Sequence, residues 1–141
     1  MRRLWINLAS LAVLGCASAA QAAPVEIDLT GLRAGGRLYV QLQTRDDYLG
    51  PRRQAGKIVD APTAGALSLN FDVPPGDYAA TVWHDDDGNG KFDVDPATGR
   101  PLDGWAMASS AVPVATPTFE QVKVAVPAAG LKVAMPLHYG R

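Results

Sequence analysis

Apolar residues recur at every second position through most of this chain, and that period narrows the folds open to it more than any other feature. The runs are Val25, Ile27 and Leu29; Leu38, Val40 and Leu42; Leu67, Leu69, Phe71 and Val73; Tyr78, Ala80 and Val82; Val122, Val124 and Val126; and Leu131, Val133, Met135, Leu137 and Tyr139. Successive side chains of a β-strand point to opposite faces, so each run describes a strand with one apolar face. Turn-forming residues fall between the runs, at Gly35-Gly36, Pro74-Pro75-Gly76, Pro113, Pro117 and Pro127 to Gly130. No segment carries the roughly 3.6-residue apolar period of an amphipathic helix. The pattern predicts an all-β chain, an antiparallel β-sandwich of six to eight strands with transthyretin-like or Ig-like Greek-key connections.

The amino terminus has a different character. Arg2 and Arg3 precede an apolar stretch from Leu4 to about Gly15, followed by small residues ending in Ala20-Gln21-Ala22. A basic start, a short apolar core and an A-x-A site make a secretory signal peptide. Residues 1–22 are therefore expected to be removed, leaving residues 23–141 as a single domain, periplasmic or extracellular. The apolar stretch is shorter than the ~20 residues that span a bilayer, and no later stretch qualifies, so no transmembrane span is expected. Val13-Leu14-Gly15-Cys16 resembles a bacterial lipobox and supplies an alternative, an outer-membrane lipoprotein with a lipid anchor at Cys16. Cys16 is the sole cysteine, which excludes an internal disulfide and a thiolate metal site. Two of the 13 Lys and Arg, set against 14 Asp and Glu, are Arg2 and Arg3, so the chain without its leader is more acidic still. Such a balance excludes nucleic acid and anionic lipid as expected partners.

The excess acid is concentrated in one loop, His84-Asp85-Asp86-Asp87-Gly88-Asn89-Gly90-Lys91-Phe92-Asp93-Val94-Asp95. Ca²⁺ takes about 6–8 oxygen ligands, and a loop that offers an oxygen at every second residue can wrap them around one ion. Asp85, Asp87 and Asn89 hold the first, third and fifth places of that pattern. Gly90 supplies the sharp turn, the Lys91 carbonyl follows, and Asp93 takes the ninth place. Pro96 stands where an EF-hand needs a bidentate Glu, and Asp77 to His84 alternates like a strand, so a helix-loop-helix hand is not expected. The missing ligand falls to Asp95 or Asp103, because the turn Thr98-Gly99-Arg100-Pro101 can fold Asp103 back over the loop. The expected site, within a loop at 84–103, is thus Asp85, Asp87, Asn89, Lys91, Asp93 and Asp95 or Asp103. Asp-Gly and Asn-Gly also favour tight hairpin turns without metal. Crowding favours the ion, since five carboxylates face only Lys91 and repel one another unless a cation offsets them.

Little else points to chemistry. Two histidines and serines outside any G-x-S-x-G setting give no nucleophile-base-acid arrangement, so an enzyme is not expected. A metal-dependent hydrolase would need a metal other than calcium and an open position beside His84. His84 reads more simply as a strand-end residue whose ring bonds to the loop, and His138 as exposed. Trp83 and Trp105 fall near the loop, where exposed aromatics suit sugar stacking or a protein contact.

The segment Phe71-Asp72-Val73-Pro74-Pro75-Gly76-Asp77-Tyr78 resembles a turn motif of transthyretin-like and collagen-adhesin B-type sandwiches. A longer resemblance runs from Phe71 to about Ser110. Pro74-Pro75-Gly76-Asp77-Tyr78-Ala79, His84-Asp85-Asp86-Asp87-Gly88-Asn89-Gly90-Lys91-Phe92-Asp93 and Gly99-Arg100-Pro101-Leu102-Asp103-Gly104 are similar in order and spacing to motifs of the secreted bacterial domain-of-unknown-function family 2141. Asp87 stands where that family tends to have Asn, Asp103 where it has Glu, and Ala106-Met107-Ala108 where Gly-Phe-Ser is usual. The first two changes keep oxygen ligands, and the third removes a Ser hydroxyl. The resemblance implies a secreted β-sandwich with a metal loop and no established activity. The expected function is a calcium-binding envelope module that meets a polysaccharide or a cell-envelope protein. A purely structural protein with a metal-free acidic hairpin is the alternative.

Overall fold

The computed structural model describes residues 21–108 and 116–140. Residues 1–20 of the expected leader, including Cys16, and the expected breaker Pro113 lie outside the described residues. Among these residues eight strands form two sheets. They are β1 (Ala23–Leu32), β2 (Arg37–Gln43), β3 (Ala55–Asp60), β4 (Gly65–Val73), β5 (Gly76–Asp85), β6 (Gly104–Met107), β7 (Lys123–Val126) and β8 (Leu131–Pro136), with one helical turn, α1 (Phe119–Val122). The smaller sheet has the order β4-β1-β8 and the larger β3-β2-β5-β6. The free edge of β5 is shared, since β7 pairs with residues 76–79 and β6 with residues 81–84.

The apolar stripes meet between the sheets. Val25, Ile27 and Leu29 of β1 and Met135 of β8 are buried against Leu38, Val40 and Leu42 of β2 and Ala80 and Val82 of β5. Each large aliphatic side chain withdrawn from water contributes about 1.5–3 kcal/mol, which is why the alternation survives as register. The register of β1 with β4 slips between Leu29 and Leu32, where Gly31 takes φ 72, a conformation that costs glycine little.

Four features depart from the reading of the pattern. First, β1 and β8 pair in parallel, Val25 with Leu131 through Thr30 with Pro136, so the sandwich is rich in antiparallel pairs but not wholly antiparallel. Alternation reports which face is buried and is blind to strand direction. Second, β3 and β6 carried no apolar run. In β3 only Ala55 and Val59 are even half-buried, and β6 is four residues long. Third, Val122 closes α1 instead of opening a strand. The Gln121 side chain accepts the Thr118 N–H at 2.8 Å, half of a capping box legible in Thr118-Phe119-Glu120-Gln121. Fourth, β8 ends at Pro136, and the chain then crosses to the other sheet. Trp105 and His138 exchange two N–H···O bonds of 2.9 Å, which ties the carboxyl terminus to β6.

The Pro74-Pro75-Gly76 turn carries the chain from β4 in one sheet to β5 in the other, so it is an arch and not a hairpin. Pro75 fixes φ for it. The Tyr78 hydroxyl donates to the Pro74 carbonyl at 2.7 Å, which gives the tyrosine of that motif a physical reason. The acidic segment, by contrast, joins β5 to β6 within one sheet.

Candidate metal site

The loop departs from β5 between two buried residues. His84 is 0% and Asp85 2% exposed. The His84 ring reaches the Gly35 carbonyl with Nε2 at 2.8 Å and the Tyr139 hydroxyl with Nδ1 at 2.7 Å. A carbonyl can only accept, so Nε2 carries the hydrogen and Nδ1 takes the Tyr139 proton in its bond. The Tyr139 oxygen in turn accepts the Arg33 N–H at 3.1 Å. Burial pushes the Tyr139 hydroxyl above its ordinary pKa, against the lowering effect of Arg33. Arg33 lies over the Tyr139 ring, 4.1 Å from its centroid, and its Nη1 reaches Asp86 at 3.3 Å. His84 is therefore a pin that fixes the root of the loop to the carboxyl-terminal segment, and both its nitrogens are engaged.

Beyond that root the carboxylates divide the labour. Asp85 faces inward and accepts the loop's own backbone, from the Asn89 N–H at 3.1 Å and the Gly90 N–H at 2.9 Å. Asp95 also serves the chain, accepting the Ala97 N–H at 2.8 Å. That bond, with further ones from Thr98, holds its pKa below the usual carboxylate value. The turn from Asp95 to Arg100 is closed by backbone bonds, Asp95 N–H to the Arg100 carbonyl at 2.8 Å and Gly99 N–H to the Asp95 carbonyl at 2.7 Å. It folds the return strand against the outgoing one, and the Leu102 N–H reaches the Asp93 carbonyl at 2.8 Å.

That fold-back brings Asp103 to the loop. Oxygens of Asp87, Asp93 and Asp103 lie within 4.8 Å of one another, with Asp87 exposed and Asp103 buried. Asp103 is 0% exposed and is held by the Trp83 indole N–H at 2.9 Å and the Asp93 N–H at 3.2 Å. Asn89 joins the group through its amide. Nδ2 donates to Asp93 at 2.6 Å and to Asp87 at 3.3 Å, while Oδ1 accepts the Lys91 N–H at 2.8 Å. Of the two residues expected to close the shell, the structure places Asp103, not Asp95, with the other carboxylates. Asp85 and Asp95 lie outside the trio.

A family model described as uncharacterized protein conserved in bacteria, domain of unknown function 2141, matches residues 27–133. The chain belongs to that family. The match spans nearly the whole sandwich and includes the entire acidic loop of this family-2141 protein. No curated protein and no solved structure matched the chain, so the transthyretin-like likeness rests on the short Pro-Pro-Gly motif alone.

Trp83, expected near the loop, bonds Asp103 across 20 residues of chain. Two further side chains that organise the site in this member of family 2141 gave no signal as site residues: Tyr139 and Arg33 reach the loop across 55 and 53 residues. Separations of that size leave no local pattern, and only the packing of the two sheets brings these groups together.

Proposed function

We propose that this chain is a secreted or periplasmic calcium-binding β-sandwich module with a binding or structural role at the cell envelope. The observation that carries the reading is the convergence of Asp87, Asp93 and Asp103 from the two arms of the loop. Three carboxylates so close repel one another, and a hard cation offsets them. Asn89 sits beside two of them, and rotating its amide would turn Oδ1 toward an ion at the cost of its bond to Lys91. The Lys91 carbonyl and water would complete the shell, with Asp85 and Asp95 shaping the loop. Extracellular sites of this kind bind at roughly 10⁻⁴ to 10⁻³ M, so the ion stabilises the loop by mass action and does not sense trace calcium.

Secretion rests on the leader, and β1 supports it by beginning at Ala23, directly after the expected cleavage site. Among the described residues no helix is long and apolar enough to cross a membrane. Lipidation at Cys16 remains the alternative to release. A metal-dependent hydrolase would call on His84, whose two ring nitrogens are already bonded, and the binding role is preferred for that reason.

Thermal melting of the purified protein with excess chelator and then with millimolar Ca²⁺ tests the reading, alongside Asp87→Ala. A rise of several degrees that the variant loses supports the site. Identical melts in every condition favour the second reading, a metal-free structural hairpin. One observation speaks for that reading, namely that Asp85 and Asp95 already bond the loop's own backbone.

A further inference from the structure

Among the described residues, a helical turn covers one end of the outward face of the larger sheet. Near the start of β5, Phe119 and Val122 of α1 pack on Ala79, with Tyr48 and Met107 alongside. Toward the acidic loop the same face carries half-buried aromatic side chains. Register aligns Ile58, Tyr39, Trp83 and Trp105 side by side across β3, β2, β5 and β6. The Tyr39 and Trp83 rings stack with centroids 4.6 Å apart, and Phe92 of the loop meets Trp83 edge-on at 6.2 Å. Ile58 and Phe92 are 53% and 48% exposed.

Beside this row, under the acidic loop, lies a cleft of about 300 Å³ whose lining includes Tyr39, Arg37, Asp60, Gly36, Gly88 and Gly90. Its size falls at the lower end of small-molecule sites, about 300–1,000 Å³. Tyr39 supplies an aromatic surface. Arg37 Nε donates to Asp60 Oδ1 at 2.6 Å, and both side chains are more than half exposed and line the cleft. The glycines leave bare main chain on the opposite side. Gly36 has no room for a side chain, because a Cβ there would strike the Asp85 carbonyl.

An aromatic surface, a polar ion pair and bare backbone suit a ligand with a C–H face and a rim of hydroxyls. Charge narrows the class. Asp60 offsets Arg37 and Asp85 lines the same cleft, so its lining offers no net positive charge to an anionic ligand. We propose that the cleft binds one neutral hexose unit of a polysaccharide, with its C–H face against Tyr39 and its hydroxyls on Arg37, Asp60 and the Gly88–Gly90 backbone. The row from Ile58 to Trp105 spans three strand spacings, about 14 Å, and gives adjoining sugar units an apolar track. The inference rests on the calcium reading in one respect: the cation orders the loop that carries Gly88 and Gly90.

Calorimetry of the full chain against neutral hexose oligosaccharides and a uronate oligosaccharide, with Ca²⁺ or chelator, tests the proposal. Asp60→Ala and Tyr39→Ala serve as cleft variants and Asp87→Ala as the loop variant, each checked for an unchanged fold by circular dichroism. Binding of a neutral oligosaccharide that falls about tenfold or more in Asp60→Ala, the loss of a hydrogen bond to a charged group, and that weakens with chelator supports it. Binding that Asp60→Ala abolishes while calcium leaves the melt unmoved upholds the cleft and removes the cation. No neutral-sugar binding in a protein whose melt does respond to calcium overturns the cleft and leaves the metal site standing. Stronger binding of the uronate, or binding indifferent to both cleft variants, also overturns it.

Discussion

Asp87 and Asp103 belong to one carboxylate group but sit in it differently. Asp87 is exposed, so without metal its replacement by Ala should change stability by less than about 0.5 kcal/mol, while removing the calcium-dependent rise in melting temperature. Asp103 is buried and accepts two N–H groups. Asp103→Ala strands the Trp83 indole and the Asp93 amide, at about 1–3 kcal/mol in urea unfolding even with chelator present. Equal losses from the two variants in chelator would contradict this division. His84 is a comparable case. Its ring is buried between Gly35 and Tyr139, so His84→Ala should cost about 2–4 kcal/mol by combining a cavity with lost hydrogen bonds. Tyr139→Phe keeps the ring but strands the buried His84 Nδ1, and should cost about 1–3 kcal/mol.

At the scale of the element, the β2–β3 connection shows how one side chain can organise a loop. Gln43 is 0% exposed. Its Nε2 lies within 3.0 Å of the carbonyls of Asp47, Gly50 and Arg52, and its Oε1 accepts the Leu49 N–H at 3.4 Å. Leu49 is held there at φ 58 with 56% of its surface exposed, a backbone conformation that disfavours a branched side chain. Leu49→Gly should therefore raise stability by a few tenths to about 1 kcal/mol, whereas Gln43→Ala should expose residues 44–54 to limited proteolysis while the strands persist. Cleavage at equal rates in wild type and Gln43→Ala would show that the loop holds itself. With Arg45, Arg52 and Arg53 this connection has the composition of a solvated loop, and a buried Gln at the end of β2 carries no periodic signature.

Across the whole molecule, pH should act at both extremes. Burial raises the hydroxyls of Tyr48, Tyr78 and Tyr139 above the ordinary value of 10.0. The fold thus favours their protonated forms, and this contribution is complete below pH 10 and is lost as pH rises through the raised values. Unfolding free energy should fall on the alkaline side, with a shallower fall in Tyr139→Phe. Asp95 shifts the other way, below 3.8. Its contribution is present above that pH and disappears as pH falls through the lower folded value, which an NMR titration of its carboxyl would locate. The layered β architecture and the calcium-like spacing from Asp85 to Asp93 were legible in the sequence, because alternation and loop spacing are local properties of the chain. The parallel pairing of β1 with β8, the choice of Asp103 over Asp95 and the pinning of His84 by Tyr139 were decided by tertiary structure. Each depends on groups far apart in sequence, and the buried face that draws them together records depth but not direction or partner.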